Sequence, residues 1–405
     1  MKKIGKILLR LIIGLIVLIG ILYGAVFLGH RVFFQMPHTT EATIPVLGEG
    51  DFAFGAASRQ QPKTTEEYIK VLAQQVKSYN EKTSTLWLNN TETNQLLIAQ
   101  DIKTKKIYRI EPDGRYKTIT SDELDKLGGR QMKLNGDWAQ LKKDGASGAV
   151  VAVDPAALTN YYTFQRYEHL GTYDPFITYA HELFHAIPQE TWKKTTYGNT
   201  ERDERLDDST ARKTRMLLQQ QLTLAISDPP NREAHIKDAL ATYKAYQKND
   251  QKDYQATLLS DRLEGTAYYY ELKASLYAGY PDTIKTDDDV YRALSVILKD
   301  DNPAYRDSGA TIEGYAIGGY SAILLDLLAK EQNQDPNSWK KIIEENGETT
   351  PLTLLEQKFE NTPLPEAKAI PSEKKYKEWL KQTDNINPKG NGPENIFNLA
   401  YGILY

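Results

Sequence analysis

The chain contains no cysteine and only six histidines among its 405 residues. The absence of cysteine excludes a disulfide scaffold, a thiolate metal site and a cysteine nucleophile. Any metal ion must therefore be bound by histidine, aspartate or glutamate. The remaining composition, 40% hydrophobic and 26% charged, is that of a globular protein, and the length suffices for one large hydrophobic core or two of medium size.

Charged residues are also absent from one long segment near the N-terminus, residues 11–29. These nineteen residues are enough to cross a bilayer as a helix. Four basic residues precede the segment and only Arg31 follows it closely, a bias that predicts a cytoplasmic N-terminus with the remaining chain outside. The alternative is a cleaved signal peptide, but the run is longer than a usual signal core and lacks a clear small-residue cleavage site. We therefore expect a single-pass protein of the cell membrane.

Acidic residues outnumber basic ones in the part of the chain that follows this segment. Without the five basic residues of positions 1–31, 45 Lys+Arg remain against 54 Asp+Glu, a net charge of −9. This balance predicts a soluble acidic domain outside the cytoplasm. It offers no basic surface for nucleic acid, and we expect contact with the membrane only through the N-terminal helix.

The order of the sequence patterns predicts an α+β fold, in which a small mixed or antiparallel sheet precedes a mostly helical region. Short β-rich runs predict strands at 84–88, 95–100, 105–110, 115–120 and 147–153. After a helix that starts at Thr64 or Thr65, helical patterns are predicted near 175–187, 203–227, 231–249, 252–279, 288–299, 311–330, 336–345, 351–360 and 372–381.

These patterns divide the chain into five parts. We expect a cytoplasmic tip and anchor at 1–31, a stalk at 32–60, a sheet-containing part of the catalytic domain at 61–170, a helical part at 171–385 and a C-terminal tail at 386–405. A helical insertion is expected near 199–255, within the helical part.

The chemistry of the chain centres on the segment YAHELFHAIPQE, residues 179–190. Asp174 as a cap and Pro175 at the first helical position predict the start of a helix here. On that helix His181 and His185 lie one above the other, so that both rings can bind one zinc ion. Glu182 is placed to contact a water on that ion. The alternative is a pair of surface histidines that share a helix.

A zinc site of this kind needs a third ligand. Neither His169 nor His235 has a recognisable context, and Pro188 and Thr191 stand where a metzincin has a glycine and a histidine.

The better third ligand lies on the predicted helix at 252–279. There Glu264 and Glu271 share one polar face, and the small residues Gly265 and Ala267 would allow close approach to the helix of the two histidines. The alternative is a solvated charged face without a ligand.

HELFH (181–185) followed by EGTAYYYE (264–271) resembles the gluzincin branch of the HExxH zinc peptidases, clan MA, in which a downstream helix carries a glutamate ligand. The resemblance covers these two helices and their order. It implies a zincin-like helical region with one Zn²⁺ per chain, bound by His181, His185 and Glu264, and Glu182 as the catalytic base. It also implies that the strand at 147–153 is an edge strand that aligns a peptide substrate.

The resemblance implies a membrane-anchored zinc metallopeptidase that hydrolyses peptides or proteins outside the cytoplasm, through a zinc-activated water and a glutamate base. Two alternatives are an inactive binding or scaffold domain and a zinc hydrolase of a cell-wall amide. The downstream histidine that steadies the oxyanion in thermolysin-type members is missing, since no histidine follows His235, so the resemblance implies that a tyrosine serves instead. Tyr315 and Tyr320 are the candidates, and the alternative for each is core packing. We expect Asp261 or Glu271 to orient the histidine rings.

Overall fold

Five strands pair into one sheet in the computed structural model, with the strand order β3-β2-β1-β5-β4. The strands are β1 (Leu96–Asp101), β2 (Ile107–Ile110), β3 (Tyr116–Ile119), β4 (Trp138–Lys143) and β5 (Ala146–Val153). Strands β1 and β5 are parallel and every other neighbouring pair is antiparallel, so the sheet is mixed. Strand β5 is flanked on both sides, and the expectation that it is an edge strand is therefore wrong. The edge beside it is β4.

The structure describes residues 14–15, 18–26, 28, 64–88, 94–102, 104–132, 137–143, 146–153, 170–197, 209–299 and 312–386. Its helices are α1 (Thr65–Asn80), α2 (Thr83–Leu86), α3 (Ser121–Lys126), α4 (Asp174–Ala186), α5 (Ser209–Ser227), α6 (Arg232–Asn249), α7 (Gln251–Gly279), α8 (Asp287–Ile297), α9 (Glu313–Glu331), α10 (Ser338–Glu345), α11 (Pro351–Lys358) and α12 (Glu373–Ile386). The α+β prediction is confirmed, and all of these elements lie in one compact unit, residues 42–387.

Local signals explain most of the helix boundaries. Helix α1 begins at the predicted place because the Thr64 hydroxyl accepts a hydrogen bond from the Glu67 backbone N–H. Helix α4 begins one residue earlier than predicted, since Tyr173 is its N-cap and Asp174 is already helical. Pro175 thus occupies the second helical position, where no hydrogen bond is lost because the first-turn N–H groups have no partner within a helix.

The sequence patterns misassign two segments. The first three residues of the run predicted as a strand at 84–88 instead lie in helix α2, because the Thr83 hydroxyl donates a hydrogen bond to the Tyr79 carbonyl at 2.9 Å and Leu86 and Trp87 are buried in the core. The strand β4 was not predicted, because its sequence WAQLKK shows only a weak alternation of apolar and polar residues. Both errors come from tertiary contacts that outweigh local preference.

Helices α7 and α9 pack through glycine. A methyl group added to Gly265 would lie only 2.4 Å from the Gly318 Cα atom, so that a side chain at either position would force the helices apart. The expectation that Gly265 faces the helix of the two histidines is therefore wrong. Gly265 instead draws α9 against α7, and this contact sets the distance of Tyr315 from the site.

The predicted anchor, residues 11–29, lies in part outside the described residues. Its described positions 18–26 are helical, and Leu18, Ile21 and Leu22 are exposed. Within the described part of the chain, no helix is both long and apolar enough to cross a membrane. Of the other predicted parts, the stalk at 32–60 lies wholly outside the described residues, and so does the tail except for residue 386.

Candidate metal centre

Helix α4 forms one wall of the candidate site because its apolar stripe is buried against the core. This stripe consists of Ile177, Ala180, Phe184 and Ile187, of which all but Ile187 are buried. The helix packs against α7 and against strands β4 and β5. This packing leaves His181, Glu182 and His185 facing α7 and α9, where His181 is buried and the other two are partly exposed.

Three side-chain atoms from α4 and α7 meet at one point. The Nε2 atom of His181 lies 3.0 Å from Nε2 of His185, and each of the two lies 3.2 Å from Oε2 of Glu264. Tetrahedral zinc with bonds of about 2.0–2.1 Å has ligand atoms about 3.3 Å apart. The three atoms are therefore spaced as one face of a zinc coordination tetrahedron, and the residues present fit that ion.

The other ring nitrogens are held by hydrogen-bond acceptors. Nδ1 of His181 lies 2.9 Å from Oε2 of Glu271, and Nδ1 of His185 lies 2.7 Å from Oε1 of Gln189. The Gln189 amide is fixed in this orientation because its Nε2 donates to the Leu263 carbonyl and the Thr266 hydroxyl. Each Nδ1 therefore carries the proton, which leaves both Nε2 lone pairs directed at the shared point.

Three acceptors so close together repel one another unless a cation lies between them. Without a metal a proton takes that place: burial lowers the pKa of His181, but hydrogen bonds and charge from Glu264 and Glu271 outweigh it and raise the pKa to about 10. Burial raises the pKa of Glu264, and the two histidines more than reverse that effect, so its pKa lies well below the ordinary value. The electrostatics of the site thus favour a cation at this point.

Two further groups border the three ligand atoms. Burial raises the pKa of Glu182, and the charges of the two histidines, which act to lower it, only partly offset that effect. The Tyr315 ring stacks on the His181 ring with centroids 5.3 Å apart, and its pKa is raised by burial and by Glu264. A carboxyl group of raised pKa and a protonated phenol therefore both lie near the three ligand atoms.

The structure separates the residues that the sequence left as alternatives. Tyr320 is fully buried, with its ring 6.0 Å from that of Tyr268, whereas Tyr315 touches the site. Asp261 pairs with Arg215 and does not orient a histidine; Glu271 does. His235 lies 3.1 Å from Asp228 on another part of the molecule, and His169 is outside the described residues.

Sequence reasoning missed Gln189, the acceptor that orients His185. Its spacing of four residues from His185 is a helical signal, but Pro188 obscured it because proline usually marks the end of a helix. The segment Gln189–Thr191 instead continues as a turn of 3₁₀ helix, which carries Gln189 back towards α7.

The chain matches no protein-family model, no curated protein and no solved structure.

Proposed function

We propose that this protein is a zinc-dependent metallopeptidase. The observation that carries the proposal is the convergence of the His181, His185 and Glu264 ligand atoms within 3.2 Å of one another, with both Nδ1 atoms already hydrogen-bonded elsewhere. In this proposal these three residues bind the ion, and Glu271 and Gln189 hold the two rings in place. Zinc bound there supplies a Lewis acid that polarises a carbonyl group and makes water more acidic.

The side chains around the site then divide the proton transfers. The Glu182 carboxylate accepts the proton of the attacking water and delivers it to the nitrogen of the departing amine. The raised pKa of Glu182 strengthens it as a base. The Tyr315 phenol keeps its proton at neutral pH because its pKa is raised, and it donates a hydrogen bond to the substrate carbonyl oxygen as negative charge develops there.

The edge of the sheet favours a peptide over other amides as the substrate. Strand β4 ends the strand order, and it packs against helix α4 beside the site. An edge strand has unpaired backbone groups that can bind an extended peptide as an additional strand. A cell-wall amide or a sugar has no comparable repeating pattern of donors and acceptors to match such an edge.

The direct test uses Glu182→Gln in the full chain. We expect wild-type protein to bind one zinc and to cleave members of a peptide library, and the variant to keep the zinc while cleavage slows by about 10²–10⁴-fold. The variant keeps the shape of the side chain and loses the proton acceptor. Zinc-loaded protein that cleaves no peptide favours the inactive binding domain, and cleavage by the variant at the wild-type rate removes Glu182 as base.

The extracytoplasmic location and the membrane anchor are part of the proposal and rest on sequence alone. The support is the uncharged run at 11–29 and the basic residues before it. Protease treatment of intact cells should degrade the region after residue 60. Protection of that region in intact cells, with degradation only after lysis, contradicts this orientation.

A further inference from the structure

A cavity of 400 Å³ lies directly beside the candidate metal centre. His185 and Gln189 line the side nearest the centre, and Gln140 of the edge strand β4 lines another. The remaining wall comes from the chain after helix α4 and from Arg262 and Leu263 of α7. A volume of this size holds one or two residues of a substrate.

Positive charge dominates the wall of this cavity, although the whole chain carries a net charge of −4. Lys193, Lys194 and Arg262 contribute three cations, and Glu190 contributes the one carboxylate among the residues that line it. The two lysines are exposed. A local excess of this sign in an acidic protein attracts a negatively charged ligand.

Of the three cations, Arg262 is the buried one. It is 2% exposed, its Nη2 atom donates to the carbonyls of Lys193 and Ile343, and its Nε atom has no hydrogen-bond partner. Within the described residues no carboxylate lies within 4.0 Å of its guanidinium. The guanidinium lies over the Trp192 ring, 5.2 Å from its centroid, and Glu348 acts on it from beyond 4.0 Å. A buried charge without an ion pair is costly, so an anion in the adjoining cavity is favoured.

The geometry points to a substrate carboxylate as the group that binds in this cavity, next to the bond that is cleaved. We propose this on the basis of the proposed function, because the cavity adjoins His185 and the bond cleaved at the metal centre then lies one or two residues away. Lys193 and Lys194 contact the carboxylate from the solvent side, and Arg262 supplies fixed positive charge behind it. An acidic side chain and the C-terminal carboxylate of a peptide share this chemistry.

A binding experiment separates these two sources. Zinc-loaded Glu182→Gln protein is titrated with four pools of hexapeptides, which carry Glu or Gln at a fixed position and a free or an amidated C-terminus. We expect tighter binding of the Glu pools if a side chain is recognised, or of the free-acid pools if the terminus is recognised. Either preference should shrink at high salt, because exposed charges are screened.

The variants test whether these residues cause the preference. Lys193→Gln with Lys194→Gln should reduce the preference for the carboxylate about five-fold, and the fold is expected to survive because both side chains are exposed. Lys77→Gln with Lys377→Gln removes the same total charge from two other exposed positions and should leave the preference unchanged. Arg262→Gln serves only as a supporting variant, since Arg262 also holds two backbone carbonyls.

Equal affinity for all four pools, or a preference that both double variants reduce equally, overturns the inference. The proposed function is judged separately, by cleavage of a peptide library. Cleavage without a carboxylate preference leaves the metallopeptidase proposal standing and removes the carboxylate site. A carboxylate preference in binding, with no cleavage by wild-type protein, supports the carboxylate site and removes the metallopeptidase proposal.

Discussion

Two buried clusters of charged side chains include residues of helix α7, and their charges are compensated in different ways. In the arginine cluster, formed by Arg212, Arg215, Asp253, Asp261 and Glu313, every carboxylate pairs with an arginine. At the metal centre, the two Nε2 atoms and the Glu264 carboxylate face one another, and the described structure places no lysine or arginine between them. Each carboxylate of the first cluster thus has a counterion within the chain, although two arginines serve three carboxylates, whereas the second is the place where we propose a cation from outside.

The ion pairs of the arginine cluster also link three helices. Arg215 on α5 pairs with Asp261 on α7, three residues before Glu264, and with Glu313 on α9, two residues before Tyr315. It therefore ties together the helices that carry a proposed metal ligand and the proposed oxyanion donor. Helix α5, which belongs to the predicted insertion at 199–255, thus holds together the two helices that carry these residues.

The largest expected effect comes from removing one arginine of the arginine cluster. Arg215→Met leaves Asp261 and part of Glu313 buried without their counterion, and the free energy of unfolding should fall by about 3–5 kcal/mol. Chemical denaturation measures this loss. Lys237→Met removes a partly exposed pair with Glu233 and should cost about 0.5 kcal/mol or less. A loss of similar size in both variants contradicts the expectation that the buried ion pairs of the arginine cluster stabilise the fold more than an exposed pair does.

Completing the metal centre should stabilise the protein. Zinc at about a hundred times its dissociation constant should raise the free energy of unfolding by about 2.7 kcal/mol, because the ion binds the folded chain. Glu264→Ala should abolish this gain and purify essentially without metal. Thermal denaturation with and without zinc, together with elemental analysis, provides the measurement. If the variant holds zinc normally, Glu264 is not a ligand.

Glu271 offers a finer comparison, because it orients His181 from behind. Glu271→Ala should weaken zinc binding by about 10–100-fold without abolishing it. Zinc titration against a competing chelator measures the affinity. If Glu271→Ala loses zinc as completely as Glu264→Ala does, Glu271 is itself a zinc ligand.

Lys340 is the reverse case, a buried cation with no carboxylate within 4.0 Å in the described structure. Burial is the main reason that its pKa falls to about 8. The unfolded chain therefore binds more protons between pH 8 and the ordinary lysine pKa, so stability should rise with pH, on the order of 1 kcal/mol from pH 7 to 9. Lys340→Met should lose this rise and exposed Lys341→Met should keep it. A flat wild-type profile refutes the expectation.

Local sequence patterns predicted the long helices, because their apolar and polar residues repeat with the period of a helix. The helix at 251–279 was placed to within one residue, and its spacing of seven residues put Glu264 and Glu271 on one face, where both now contact His181. Patterns failed where distant contacts decide the structure. Residues 83–86 form a helical turn and not a strand, because the adjoining Trp87 packs among Phe184, Trp192 and Trp339, which are nearly 100 or more residues away.

The sequence by itself determined the kind of ligand and the ligand spacing. A chain without cysteine can bind zinc only through His, Asp and Glu, and the four-residue repeat of an α-helix places His181 and His185 together in any fold that keeps the helix. Only the tertiary structure decided that Tyr315 and not Tyr320 reaches the site, that Gln189 orients His185 and that β4 is the edge strand. These facts depend on how α7, α9 and the sheet pack, and glycine contacts and buried ion pairs between residues far apart in the chain control that packing.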